Sequence, residues 1–159
     1  MDKFTFYSSN KFKKQVWKDY LNTCDLNTLE IQGTAEEIVR NKCKNLPPFS
    51  IVEDVSLYIE DLNGLPGPYI KYYFDKLPKI ANGSDATAVC LVAAKFEDCT
   101  KIFSGQIKGT IELDNFDKNT FGFNSIFKLQ NGTFLQDSKI SHRTEAINSF
   151  IDYINIFYK

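Results

Sequence analysis

The chain has 159 residues, a formal net charge of −1 and 43% hydrophobic residues, 14% of all residues being aromatic. That length suits a single domain over residues 1–159 that buries roughly two-thirds of its unfolded surface around one core. Near-neutral, interspersed charge argues against polymeric nucleic acid or an anionic membrane as partner and leaves a small ligand as the expectation.

Met1 is followed by alternating residues rather than a basic segment and an apolar core, and no apolar run approaches about eighteen residues, so neither leader nor membrane span is expected and the protein reads as cytoplasmic. Cys24, Cys43, Cys90 and Cys99 form no C-x-x-C pair and His142 is the single histidine. A zinc site is therefore not expected, and the thiols read as buried and reduced, with no disulfide.

Residues 3 to 8 alternate in the manner of a strand and lead through Ser9-Asn10 into a helical stretch from Lys11 to about Leu21. Phe12, Val16 and Tyr20 would give that helix an inward stripe. Its amino terminus, with Ser8, Ser9 and Asn10 before it and Lys13 in its first turn, suits an anion such as phosphate, or Ser9 or Asn10 simply caps it. Residues 29 to 32 read as a second strand closing at Gly33, and Thr34 to Glu37 as a capping box opening a helix through about Lys44. Glu30 is then either an exposed strand acid or a metal ligand, and Lys42 either a surface charge or a ligand contact.

The apolar run Phe49, Ile51, Val52 reaches the adjacent carboxylates Glu53 and Asp54, which reads as a strand end presenting chemistry. The chain then turns through Asn63-Gly64-Leu65-Pro66-Gly67-Pro68 and restarts as a helix holding Tyr69, Ile70 and Lys71 in its first turn. Two acids and a cation in such a place suit a divalent metal and a polyphosphate, because oxygen ligands hold Mg²⁺ while an ammonium meets the remaining phosphate charge. The competing reading is a solvated strand edge.

Residues 86 to 95 and 100 to 113 read as framework strands, with Ser104-Gly105 and Lys108-Gly109 marking a bulge or bend. Phe121-Gly122-Phe123 offers aromatics either for stacking a base or for packing. A closing helix from about His142 to Tyr158 would turn Ala146, Phe150, Tyr153, Ile154 and Phe157 inward. Strands alternating with helices and followed by further strands give an α/β class with a mixed central sheet flanked by helices.

Gly64-Leu-Pro-Gly-Pro-Tyr-Ile-Lys71, preceded by Val52-Glu53-Asp54 and followed by Ser141-His142-Arg143, resembles the inosine triphosphate pyrophosphatase family of non-canonical purine nucleotide hydrolases. Ser8-Ser9-Asn10-x-x-Lys13 is similar to that family's Thr-Gly-Asn-x-x-Lys, and Glu30-Ile31-Gln32-Gly33 to its Glu-x-Gln-Gly. The resemblance implies an elongated two-lobed α/β domain with a substrate cleft between the lobes, usually homodimeric. It also implies Mg²⁺-dependent cleavage of nucleoside triphosphates to monophosphate and pyrophosphate, with Mn²⁺ as an alternative ion. By position it makes Glu30, Glu53 and Asp54 the metal-site carboxylates, with Asp54 the general base. Ser8, Ser9, Asn10, Lys13, Lys42 and Lys71 become phosphate-side contacts, and Phe121, Gly122, Phe123, Asn124, Lys139, Ser141, His142 and Arg143 the base-side ones.

The chain departs from the family pattern at several points. Ser9 replaces a glycine, Val55 replaces a hydroxyl residue, and Asn124 stands where an aspartate is usual. Lys139 lies two positions before Ser141 where the family lysine lies four before. These changes leave room for two other readings: a related house-cleaning enzyme of the Maf type with a shifted base preference, or a non-catalytic nucleotide-binding module.

Overall fold

A computed structural model describes residues 1–158. In chain order its main elements are β1 (Thr5–Tyr7), α1 (Lys11–Trp17), β2 (Asn22–Cys24), α2 (Ala35–Cys43), β3 (Ser50–Ile59), β4 (Pro66–Gly67), β5 (Asp85–Lys95), β6 (Thr100–Ile111), β7 (Phe127–Leu129) and α3 (His142–Phe157). Seven strands form one sheet in the order β2-β1-β3-β5-β6-β7, with β4 also paired to β3. The sheet is mixed: β1 runs parallel to β2 and to β3, while β4 is antiparallel to β3 and β7 to β6. No helix among the described residues is long and apolar enough to cross a membrane.

By internal contacts the chain divides into two compact units, Met1–Asp54 with Leu91–Ser104 and Ala146–Lys159, and Val55–Cys90 with Gly105–Glu145. Where one core is expected from length, buried apolar side chains collect within each unit. In the first, Val39 and Cys43 of α2 pack with Val52 of β3 and Ala93 of β5. Phe4 meets Phe150 of α3 edge-on at 5.3 Å, and Phe6 stacks on Trp17 of α1 at 4.6 Å. In the second, Leu57 and Ile59 of β3, Ala86 and Ala88 of β5, Ile111, Phe123, Ile126 and Phe127 enclose a core of their own.

Several sequence expectations shift by an element. The strand expected over residues 29 to 32 is irregular chain, because alternation forms a strand only where one face is buried and Leu29 is 92% exposed. Polar β2 takes the edge beside β1 instead. The inward residue of α1 is Trp17, not the stripe of Phe12, Val16 and Tyr20, of which Phe12 and Tyr20 are exposed. A helix that stops after seven residues presents one residue to the sheet rather than three. Residues 70 to 72 form a single 3₁₀ turn rather than a new helix. In α3, Ala146, Phe150 and Ile154 are buried as expected, whereas Phe157 is 65% exposed.

Two backbone details set the strand that carries the acids. Phe49 has a positive φ of 66°, unfavourable for a bulky side chain, yet its N–H donates to the carbonyl of Lys95 at 2.6 Å and its carbonyl accepts from Thr5 N at 3.0 Å. Those bonds enter β3 from both sides. At the other end of the sheet a Cβ on Gly109 would lie 2.3 Å from the carbonyl oxygen of Lys128, so β7 approaches β6 this closely only because residue 109 is glycine. The bend expected at Lys108-Gly109 is thus a close approach between paired strands.

Candidate active site

Glu53 and Asp54 are not at a strand end; they lie inside ten-residue β3, only 3% and 5% exposed. Successive strand residues point to opposite faces, so the adjacent acids receive different partners. On the α2 side, Lys42 Nζ donates to Asp54 Oδ1 at 2.9 Å, lies 3.2 Å from Glu30 Oε1, and reaches the backbone carbonyl of Glu53 at 3.3 Å. On the α1 side, Trp17 Nε1 donates to Glu53 Oε2 at 3.1 Å while Lys13 Nζ lies 3.8 Å from Glu53 Oε1. Removing a carboxylate from water costs several kcal/mol, which explains why both acids have a cation beside them.

The local sequence places those cations. Thr34 accepts from Glu37 N and the Glu37 carboxylate accepts from Thr34 N, the capping box expected there; it starts α2 in the register that turns Lys42, in the last turn of the helix, toward β3. Glu30 arrives on irregular chain before that cap and remains largely enclosed, its side chain 15% exposed. Its anchor is Lys42 rather than a strand ladder. Among the described residues no group of three or more His, Cys, Asp and Glu side chains gathers closely enough to hold a metal. Glu30 and Asp54 form a pair across Lys42, and Glu53 turns away to Trp17 and Lys13. The second oxygen of Asp54, Oδ2, is buried with no hydrogen-bond partner.

At the start of α1 the capping alternative left open by sequence is the one seen. Asn10 is the cap, its side chain accepting from Lys13 N at 3.0 Å, and Ser8 Oγ accepts from Asn10 N at 3.0 Å. Ser9 is exposed. These bonds hold the turn that carries Lys13, whose ammonium then extends to Glu53.

The second unit holds the remaining candidates. Arg143 is 5% exposed and its guanidinium carbon lies 5.9 Å from the centre of the Phe121 ring; His142 is 2% exposed, 5.7 Å from Phe123. Phe123 packs in the core, as does Phe127, which is the packing role sequence allowed, while half-buried Phe121 faces the arginine. Gly122 has a φ of 53°, which turns the chain between them. Asn124 is half-buried, its N–H donating to the Phe121 carbonyl and its own carbonyl accepting from Gln136 N. Ser141 and Thr144 cap α3 reciprocally, Thr144 N donating to Ser141 Oγ and Ser141 N to Thr144 Oγ1. That gives Ser141 a structural task. Lys139 is exposed, and Lys71 sits with its ammonium 5.0 Å from the Tyr72 ring centre.

Sequence reasoning did not single out Trp17. The signal available was its spacing: Lys13 and Trp17 are four apart and share one helix face.

Comparison with known proteins identifies the family. The family model described as the Ham1 family matches residues 4–153. An inosine triphosphate pyrophosphatase from Encephalitozoon intestinalis is 34% identical over 96% of this chain and 92% of that protein. A dITP/XTP pyrophosphatase from Methanosarcina acetivorans is 28% identical over 96% of this chain and 97% of that protein. Among solved structures, the Staphylococcus aureus Ham1 protein superposes with a TM-score of 0.71 at 25% identity, covering 95% of this chain and 98% of that one. A HAM1 protein from Coxiella burnetii gives 0.75 at 19% identity, covering 98% and 100%, a likeness of fold. With the match running through β1 to α3, the chain belongs to the Ham1 family.

Proposed function

We propose that this protein hydrolyses non-canonical purine nucleoside triphosphates, those of inosine, deoxyinosine and xanthosine, to the monophosphate and pyrophosphate, working as one domain on the free nucleotides of the cytoplasm. The observation that carries the proposal is the buried junction in which Lys42 lies 2.9 Å from Asp54 and 3.2 Å from Glu30. The activities for which the relatives are named support it. A purely structural ion pair has no use for a second buried carboxylate, nor for a carboxylate oxygen left without a hydrogen bond.

In this reading the lysines at 13, 42 and 71 meet the charge of the polyphosphate. Asp54 accepts a proton from the attacking water, whose oxygen bonds to phosphorus as the anhydride link between the α- and β-phosphates breaks and pyrophosphate leaves with the electron pair. Mg²⁺, with Mn²⁺ as the alternative, fits the donor set: Glu30 and Asp54 are hard oxygen ligands, and buried Asp54 Oδ2 has acceptor capacity to spare. When bound, the ion supplies Lewis-acid neutralisation of phosphate oxygens. Phe121 offers a stacking face to the base, and Arg143, donor only, favours a 6-oxo purine. The homodimer implied by the resemblance belongs to the same proposal, with exposed Leu65, Tyr72, Tyr73 and Ile80 of the second unit offering apolar surface.

The test is product analysis. Inosine triphosphate incubated with the protein and Mg²⁺ should yield inosine monophosphate and pyrophosphate in equal amounts. Orthophosphate with the diphosphate as products would overturn the assignment.

A further inference from the structure

We infer that Trp17 is a positioning residue, which holds Glu53 so that Glu53 in turn orients the Lys13 ammonium for phosphate. The inference rests on the pyrophosphatase reading for what Lys13 meets, but not for the geometry. Trp17 is fully buried, stacked on Phe6 at an interplanar angle of 11° and edged by Tyr20 at 6.4 Å, so its indole has one orientation. From there Nε1 donates to Glu53 Oε2, and the other oxygen of the same carboxylate faces Lys13. Lys13 and Trp17 are one turn apart on α1, so the helix delivers a neutral donor and a cation to the two oxygens of one buried acid.

Each partner has a distinct effect. An indole N–H is donor only and carries no charge, so it fixes the carboxylate without neutralising it, leaving the acid's charge directed at Lys13. Without that bond the carboxylate would lose the rigid, buried donor that sets its rotation. Lys13 would then face a carboxylate of less fixed orientation, and its long, rotamer-rich side chain would be held less firmly. The arrangement also ties the two faces of β3 together, because the Glu53 backbone carbonyl accepts from Lys42, which holds Asp54. Outer partners that orient charged groups in this way commonly matter about 10–100-fold in activity or affinity.

The test is a double-mutant cycle with an independent binding readout. Trp17→Phe keeps the stack and removes only the N–H; it should lower kcat/KM for inosine triphosphate about ten-fold in the unmodified background and less than about two-fold in Lys13→Ala, since a residue acting through Lys13 has little left to act on. Equal losses in both backgrounds, or no loss in the first, would overturn the inference. Trp17 is the single tryptophan. Its fluorescence, excited selectively in the otherwise unmodified protein, should therefore change on titration with inorganic pyrophosphate, with a midpoint matching the calorimetric Kd, and should stay constant in Lys13→Ala. Pyrophosphate binding seen by calorimetry without an emission change would also overturn it, even if Trp17→Phe fails to fold. Absence of pyrophosphate release from every nucleotide would count against the proposed function alone, because the pyrophosphate titration still reads the Trp17–Glu53–Lys13 link.

Discussion

Asp54 and Glu53 are neighbours in sequence with different partners, and substitution should separate them. Asp54→Asn keeps size and one hydrogen-bond acceptor but removes basicity and charge, so turnover should fall at least about 100-fold while the circular dichroism spectrum is retained. An Asp54→Asn enzyme with most of its rate would show that the base lies elsewhere. Arg143 is the residue on which base choice should turn. A buried guanidinium can only donate, so it suits the 6-oxo group of hypoxanthine or xanthine and finds no acceptor in the 6-amino group of adenine. Inosine triphosphate should outrank adenosine triphosphate in kcat/KM, Arg143→Ala should narrow that ratio, and Asn124→Asp, which replaces a donor-acceptor by an acceptor, should sharpen selection among oxo purines. Equal kcat/KM for the two nucleotides in the unmodified protein would remove Arg143 from the base site.

Elements place these residues through their ends and pairings more than through their lengths. The capping box at Thr34 and Glu37 sets α2, the Asn10 cap sets the seven-residue α1, and the Ser141–Thr144 pair sets α3. The first was legible in sequence because Thr-x-x-Glu carries its own hydrogen-bond geometry; the third was hidden, since Ser-x-x-Thr lacks the long acid that marks such a box. Gly109 gives the clearest prediction at this scale. A methyl group there meets the Lys128 carbonyl oxygen at 2.3 Å and a Phe127 ring carbon at 2.7 Å, both within the β6–β7 pairing. Gly109→Ala should destabilise by about 1–3 kcal/mol in urea unfolding, as overpacking does. Gly122→Ala should also destabilise, but from its backbone conformation, because no atom stands within 4 Å of the added methyl and φ is 53°. An unchanged midpoint for Gly109→Ala would mean β7 pairs more loosely than described.

For the whole molecule, the four thiols report how burial is distributed. Sequence suggests all four are buried; Cys43 and Cys90 are, whereas Cys24 and Cys99 are exposed, and all four are reduced thiols. Burial pushes the Cys43 thiol up to about 11, with Lys95 opposing. Since the folded value lies above the unfolded one near 9.0, stability from this group is intact below pH 9 and declines as pH rises toward 11, where the unfolded chain has already released its proton. Iodoacetamide at pH 8 should accordingly label Cys24 and Cys99 in minutes and Cys43 only on unfolding, read by peptide mass spectrometry. Rapid labelling of Cys43 in the native protein would show that α2 opens from β3.

The mixed α/β class, the two longest strands and the capping box of α2 were determined at the level of sequence, as was the choice of Glu30, Lys42, Glu53 and Asp54 as candidates. Residue type, short-range spacing and local capping carry that information without reference to distant chain. Which face each acid uses, the end of β3 beyond Asp54, the lack of a strand around Glu30 and the part played by Trp17 were decided by tertiary structure. In each case the deciding quantity is burial against a partner far along the chain: Trp17 meets Glu53 across 36 residues and Lys42 meets Asp54 across 12. A strand pattern such as Leu29 to Gln32 remains only a pattern when nothing packs on it, and two adjacent carboxylates become two different groups once helices cover opposite faces of their strand.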